Sequence, residues 1–321
     1  MSMDVVQLVL VVLIAIFTAH YLYMRWFLTH QRVSSLDEAE LSEGFANQAG
    51  DDTDAGGNTM VVLGNDHLFD AFYAKIYDQV VDGAQRQEME TKLTVGWAKS
   101  YRPEVHTIQV LDVGCGTGGQ AAVFKKEGVG KIVGIDKSEA MIARGRALHP
   151  DLDLRVGDAE VTGGFAAGEF NLITLYYFTY YYLQDRSVAL QNFFNWLQPG
   201  SCLVIHLVNR EKFDPILEAA SPFVAFSVQK YSKERVTHSR VSFDKFDYEA
   251  NFDLEGAQGR FVEQFKFKDG KGRRRRQVHT LRMPTMDQVV AEVEANGFKY
   301  RQYIDLTSIG YEYQYLFCFV R

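Results

Sequence analysis

A chain of 321 residues can hold one large domain or two small ones, and 47% apolar residues supply a sizeable core. A formal charge of −7 gives no general attraction to nucleic acid, so that partner is not expected. Cys115, Cys202 and Cys318 are too few and too scattered for a disulfide framework or a metal site, and they suit a reducing compartment. The N-terminus departs from this ordinary composition. Val5–Met24 contains no Asp, Glu, Lys or Arg. At ~1.5 Å per residue it would cross a hydrocarbon core of ~30 Å. Tyr21, Tyr23 and Trp26 sit at one end like an interfacial belt, and Arg25 and Arg32 follow. The start has no basic residue and no good cleavage site, which argues against a secretory signal. The expectation is a retained transmembrane anchor over residues 1–28, in a single-pass membrane protein whose C-terminal domain faces the cytosol.

Residues 29–64 are rich in Asp, Glu and small residues and read as an acidic flexible linker. Residues 65–321 read as one domain. Asn65-Asp66 should open a helix carrying Phe69, Phe72, Tyr73, Ile76, Tyr77 and Val80 on one face, and a second helix should span residues 84–100. Val110–Val113 is an apolar strand running into Gly114-Cys115-Gly116-Thr117-Gly118-Gly119, and an alanine-rich helix follows. Lys131–Ile135 is a second strand ending in Asp136, with Ser138 placed to cap the next helix. Leu152–Val156 ends in Gly157-Asp158-Ala159-Glu160, and Phe170–Leu175 runs into Tyr176-Tyr177-Phe178-Thr179-Tyr180-Tyr181-Tyr182. A helix through Leu190–Leu197 leads to a strand at Cys202–Val208. Residues 248–254, 260–268 and 273–281 alternate like antiparallel strands, an insertion of about 226–282. Thr285 with Gln288 forms a capping box, and two closing strands lie at 298–304 and 313–320.

The glycine turn needs a ligand that approaches the backbone closely, and the helix after it offers free N–H groups. Gly114, Gly116 and Gly119 fit the dinucleotide fingerprint, so an NAD-dependent oxidoreductase is one reading. Asp112 argues against it. A strand entering a pyrophosphate site is normally apolar there, whereas a cationic amino-acid end calls for a carboxylate. The pattern D-x-G-x-G-x-G, here Asp112, Gly114, Gly116 and Gly118, resembles motif I of class I S-adenosylmethionine-dependent methyltransferases. Asp136 at the end of the second strand and the Gly157-Asp158-Ala159 element fit the same family in order and spacing. The usual acidic residue early in the fourth strand is Asn171 here.

The resemblance implies an α/β, Rossmann-like, seven-stranded, mostly parallel sheet with helices on both faces, an antiparallel C-terminal strand and the inserted hairpin region. It implies S-adenosyl-L-methionine as cofactor. Asp112 would bind near its methionine end against the backbone of Gly114, Gly116 and Gly118. Asp136 would hold the ribose, Asp158 and Ala159 the adenine, and Tyr77 would line the site. Tyr73, Tyr177, Asn209 and Arg210 are candidate acceptor contacts. His206 and Tyr176 are candidate catalytic groups, while His238 and His279 are weaker alternatives. A small-molecule or membrane-associated acceptor with an N or O nucleophile fits best, because no N-P-P-Y-type element follows the fourth strand. The other readings are a protein methyltransferase and a tethered scaffold that binds cofactor or partner without turnover. The Arg273–Arg276 run has no assigned role.

Overall fold

The computed structural model describes residues 5–29, 52–53, 59–81, 84–213, 215, 235 and 237–321. In chain order the strands are β1 (Asp52–Thr53), β2 (Thr59–Leu63), β3 (Gln109–Val113), β4 (Lys131–Asp136), β5 (Asp153–Val156), β6 (Phe170–Leu175) and β7 (Leu197–Val208). There follow β8 (His238–Ser242), β9 (Phe246–Glu255), β10 (Gln258–Phe267), β11 (Arg274–Arg282), β12 (Lys299–Asp305) and β13 (Gln314–Val320). The helices are α1 (Val5–Thr29), α2 (Ala71–Val81), α3 (Ala84–Tyr101), α4 (Gly119–Lys126), α5 (Glu139–Leu148), α6 (Thr179–Tyr182), α7 (Arg186–Trp196) and α8 (Met286–Ala295).

The first sheet has seven strands in the order β12-β13-β7-β6-β3-β4-β5. Neighbours from β7 to β5 pair in parallel, and β13 is antiparallel to both β7 and β12. β6 and the Ser201–Val208 part of β7 are buried throughout, as strands covered by helices on both faces must be. The expected sheet is therefore present, with its antiparallel strand one place in from the edge.

The second sheet has six strands, β1-β2-β11-β10-β9-β8, antiparallel except where β2 joins β11 in parallel. Alternation decides its inner face. Tyr248, Phe246, Phe265 and Phe267 point inward onto Phe72 and Ile76 of α2. Beyond them, Phe252, Leu281 and Met283 join the core of the first sheet.

Caps fix where the helices start. Ser138 Oγ accepts from Met141 N at 3.0 Å, Asp185 Oδ1 from Val188 N at 3.1 Å, and Thr285 and Gln288 form the reciprocal capping box.

Three expectations need correction. Asn65-Asp66 does not open α2. Asp70 does, its Oδ1 accepting from Tyr73 N at 3.0 Å. Asn65 instead clamps β11, exchanging two 2.8 Å bonds with the backbone of Thr280. The stretch read as linker ends in strand β2, because Thr59-Met60-Val61-Val62-Leu63 alternates and buries Val61 and Leu63; most of residues 29–64 lies outside the described residues.

The third correction concerns the anchor. Among the described residues no helix is long and apolar enough to cross a membrane. The transmembrane helix, the membrane partner and the single-pass localisation with a cytosolic domain are therefore not upheld.

Candidate active site

The loops at the carboxyl ends of β3, β4, β5 and β6 converge, which is where open α/β sheets place ligands. The backbone N–H groups of Gly114 and Cys115 both donate to Ile135 O, at 2.8 and 3.0 Å, and bind the turn to β4. Gly114 has φ +68, and a Cβ there would lie 2.5 Å from Thr179 Oγ1, so packing against α6 demands this glycine. Gly116 is different. Its φ is +55, yet the nearest atom to a Cβ would be the Tyr77 ring at 3.8 Å. Gly116 thus faces a cleft that α2 closes from above. Thr117 Oγ1 donates to Asp78 Oδ1 at 2.6 Å and latches α2 onto the loop.

Two carboxylates line the outer edge. Asp136 accepts from Gly116 N through Oδ2 and from Ser138 N through Oδ1, both at 2.9 Å, and burial raises its pKa. Asp158 accepts from Glu160 N at 2.8 Å and lies 3.2 Å from Lys137 Nζ, with Ala159 buried beside it.

The inner end is a buried polar chamber. Asp112 accepts one bond, from Thr174 Oγ1 at 3.0 Å, while its Oδ2 has no partner among the described residues. Glu90 on α3 likewise leaves Oε1 without a partner and lies 3.9 Å from Arg86 Nε. Burial pushes the Asp112 carboxyl up to about 7, with the nearby Asp136 adding to it. Burial also pushes Glu90 up to about 7, against the pull of Arg86. The Arg86 guanidinium stacks over Tyr177 at 4.3 Å and Tyr311 at 5.2 Å. Tyr177 itself sits at φ +52, a left-handed conformation unusual for an aromatic residue and typical of ligand sites. Buried polar atoms without partners are rare and costly, so two carboxylate oxygens left open beside one guanidinium mark a place for a ligand bearing both signs of charge.

The sequence candidates fall in different places. Asp112, Gly114, Gly116, Asp136, Asp158, Tyr77 and Tyr177 border this cleft, while Gly118 faces Leu154 and Ala159 is buried in the core. His206 is fully buried at its inner wall, where burial and then Arg86 push its pKa down to about 3. It is a poor proton acceptor there. Tyr176 packs toward Phe124, with its hydroxyl 2.9 Å from Thr94 Oγ1 in the core, so the structure gives it a packing place rather than a catalytic one. Asn209 caps a turn, accepting from Glu211 N at 3.2 Å. Arg210 is a strut that donates to Met283 O at 2.7 Å. Both have structural work that explains them without an acceptor. Asn171 spends its amide on the strand ladder, accepting from Gln109 N at 2.8 Å and donating to Thr107 O at 3.2 Å. His238 is exposed on β8.

Tyr73 belongs to a network that motif reading does not reveal. Its hydroxyl donates to Glu263 Oε1 at 3.1 Å, and Tyr248 donates to the same oxygen at 2.7 Å. Gln277 Nε2 and His279 Nε2 reach Glu263 Oε2 at 3.1 and 2.7 Å. The other ring nitrogen of His279 lies 2.5 Å from the Tyr182 hydroxyl. Tyr182 is half-buried, and burial raises its pKa well above the ordinary tyrosine value, with Glu263, Tyr77 and Tyr177 contributing. The signal in the sequence was Glu263 itself. It interrupts the inward stripe Phe261-x-Glu263-x-Phe265-x-Phe267 and is wholly buried.

The arginine run also resolves. Arg275 is 1% exposed and forks onto Asp70 at 2.8 and 2.9 Å, tying the start of α2 to β11. Arg273 pairs with Asp269. Alternation along the strand divides the run, so it does not form one basic surface.

Residues 110–200 match the family model described as Methyltransferase domain. A curated relative, the demethylmenaquinone methyltransferase of Chlorobaculum parvum (strain DSM 263 / NCIMB 8327), is 32% identical over 97 residues, which cover 30% of this chain and 39% of the relative. The match spans about two fifths of that relative's length. The fold is shared with S-adenosylmethionine-bound CalS10, an amino pentose methyltransferase of Micromonospora echinaspora. That structure has a TM-score of 0.54 and 22% identity, covering 73% of this chain and 91% of that one. It is also shared with KedS8, a sugar N-methyltransferase of Streptoalloteichus sp ATCC 53650, with a TM-score of 0.57 and 21% identity over 76% of this chain and 92% of that one. Residues 110–200 are therefore similar to a methyltransferase domain, and they lie in a fold shared with these two structures.

Proposed function

We propose that this protein is an S-adenosyl-L-methionine-dependent methyltransferase that methylates a nitrogen or oxygen of a small-molecule acceptor. The cofactor is S-adenosyl-L-methionine. The observation that carries the reading is the inner chamber. A methionine end presents an ammonium and a carboxylate, and the chamber offers the open oxygens of Asp112 and Glu90 beside the Arg86 guanidinium.

Asp112 and Glu90 take the ammonium, and Arg86 takes the carboxylate. The Gly114–Gly118 backbone lies along the chain between sulfur and ribose, with Gly116 open to it. Asp136 accepts from the ribose hydroxyls, and Asp158 with Ala159 borders the adenine. Tyr77 closes the cleft from above. When bound, the cofactor supplies a methyl group already activated on a sulfonium, so the chain's task is alignment and exclusion of water. The faces of Tyr77 and Tyr177 favour that positive charge.

The acceptor approaches between α2, α6 and the second sheet. Phe69, Tyr73, Tyr77 and Tyr182 wall this side, with ring centroids 5.7 to 6.5 Å apart where they meet. Apolar faces with hydroxyl tips suit a compact, polar acceptor with an amine or hydroxyl. CalS10 is an amino pentose methyltransferase and KedS8 a sugar N-methyltransferase, which supports that class.

The test incubates the full chain with donor radiolabelled in its methyl group and a small-molecule extract of the source cells. Label in the small-molecule fraction is the expected result. Label in protein alone indicates a protein methyltransferase, and no label in any fraction indicates a scaffold without turnover.

A further inference from the structure

We propose that Tyr182 takes the proton from the acceptor nucleophile and that His279 and Glu263 hold it ready to do so. The inference rests on the methyltransferase reading and adds the proton acceptor that the sequence candidates fail to supply.

Placement comes first. α6 packs against the glycine loop, since Thr179 fills the space beside Gly114. Tyr182 is three residues further on, hence on the same helical face. Its electrostatic neighbours are Tyr77 and Tyr177, the two rings that flank the cofactor cleft. The hydroxyl of Tyr182 therefore stands between that cleft and the second sheet, on the acceptor's side.

The geometry behind Tyr182 suits one direction of proton flow. Tyr73, Tyr248 and Gln277 donate to Glu263, and His279 Nε2 lies 2.7 Å from its Oε2. In the relay Glu263 is the carboxylate that accepts all four contacts, and His279 carries its hydrogen on Nε2. In the neutral imidazole Nδ1 is then a lone pair, and the Tyr182 hydroxyl donates to it. One lone pair of the Tyr182 oxygen is then left for the acceptor's proton.

The step balances. The new bond from methyl carbon to the acceptor nitrogen or oxygen forms as the carbon–sulfur bond breaks, and that electron pair stays on sulfur. Tyr182 Oη receives the acceptor's proton and passes its own to His279 Nδ1. The positive charge that leaves the sulfonium ends on the imidazolium, held against the Glu263 carboxylate at 2.7 Å. No free phenolate forms, which suits a hydroxyl whose ionisation burial opposes. Tyr182 is the catalytic residue in this scheme. His279 and Glu263 are positioning residues that act through it.

The test has two arms on the full chain with S-adenosylhomocysteine bound. Nuclear magnetic resonance of the chain labelled with nitrogen-15 in its imidazoles, with His279 assigned by His279→Gln, reads the tautomer directly. The expected form is neutral with hydrogen on Nε2, and Tyr182→Phe should shift the Nδ1 resonance toward that of an imidazole without a donor. Hydrogen on Nδ1 of the neutral ring, or no response to Tyr182→Phe, overturns the relay.

The second arm measures methyl transfer from labelled donor to the small-molecule extract. Tyr182→Phe should lower kcat by about 10²-fold or more, with the KM for donor and the S-adenosylhomocysteine affinity unchanged. His279→Gln should behave alike. Full transfer by Tyr182→Phe overturns the relay alone. Absence of transfer by the unaltered chain overturns the methyltransferase reading, and the relay with it.

Discussion

The parallel and antiparallel sheets meet at one cleft and contribute to it by different means. The parallel sheet offers backbone: glycine positions at φ +68 and +55, N–H groups and carboxylates at the ends of successive strands, with Gly116 and Asp136 20 residues apart. The antiparallel sheet offers side chains brought together by register. Glu263 faces Gln277 across β10 and β11 and reaches back to Tyr73, 190 residues away. The glycine-loop side is thus drawn from consecutive strand–helix units and the Glu263 side is not. Substitutions in the first should strike binding, and substitutions in the second should strike folding or turnover.

Gly116→Val carries the largest expected effect. A side chain there enters the cleft and adds about 1–2 kcal/mol of left-handed strain. S-adenosylhomocysteine should no longer raise the melting temperature of the variant, while Gly64→Ala, where a Cβ meets nothing within 4 Å, should respond normally. Glu263→Ala comes next. It leaves four buried donors without an acceptor and should cost about 3–5 kcal/mol in urea unfolding. Arg275→Ala removes the forked pair with Asp70 and should cost about 3 kcal/mol, while Arg276→Ala, one residue on and facing the other way, should change stability by no more than about 0.5 kcal/mol.

That contrast also says what could be read beforehand. The glycine loop with Asp112, Asp136 and Asp158 at the strand ends was legible because a turn with positive φ at Gly114, Gly116 and Gly118 leaves a short, spaced signature. The seven-stranded, mostly parallel sheet followed from the resemblance, and the positions of its strands were legible as apolar runs between helices. The relay was not legible, because nothing near Glu263 in sequence announces His279 or Tyr182. Only the break in an alternating phenylalanine stripe hinted that a carboxylate was being buried on purpose. The surroundings of Tyr176 and His206 were not legible for a related reason. A strand end shows which residues are near the cleft but not which way each ring turns: Tyr176 packs toward Phe124, and His206 is buried beside Tyr177. The anchor expectation failed because no described helix is long and apolar enough to cross a membrane.

The chamber makes a smaller, pH-dependent prediction. Asp112 and Glu90 are held up to about 7 in the folded chain, above the usual carboxylate range. As pH rises from about 4 to about 7 the unfolded chain ionises first, so the ligand-free protein should lose stability over that window. Urea unfolding at pH 5 and pH 8 reads the difference. A bound ammonium lowers both values, so S-adenosylhomocysteine binding at pH 6 should release protons, seen as a buffer-dependent calorimetric enthalpy that shrinks in Asp112→Asn. The smallest effect belongs to the surface. Arg155→Ala removes an exposed pair with Asp153 at 2.6 Å and should change stability by less than about 1 kcal/mol.

The central claim is that the cleft is shaped for a methionine-bearing nucleoside. Isothermal titration of the full chain with S-adenosylhomocysteine, and separately with NADH, tests it most directly. Saturable binding of S-adenosylhomocysteine at one site per chain, abolished by Gly116→Val and absent for NADH, is the result predicted. Saturable NADH binding without S-adenosylhomocysteine binding would contradict it.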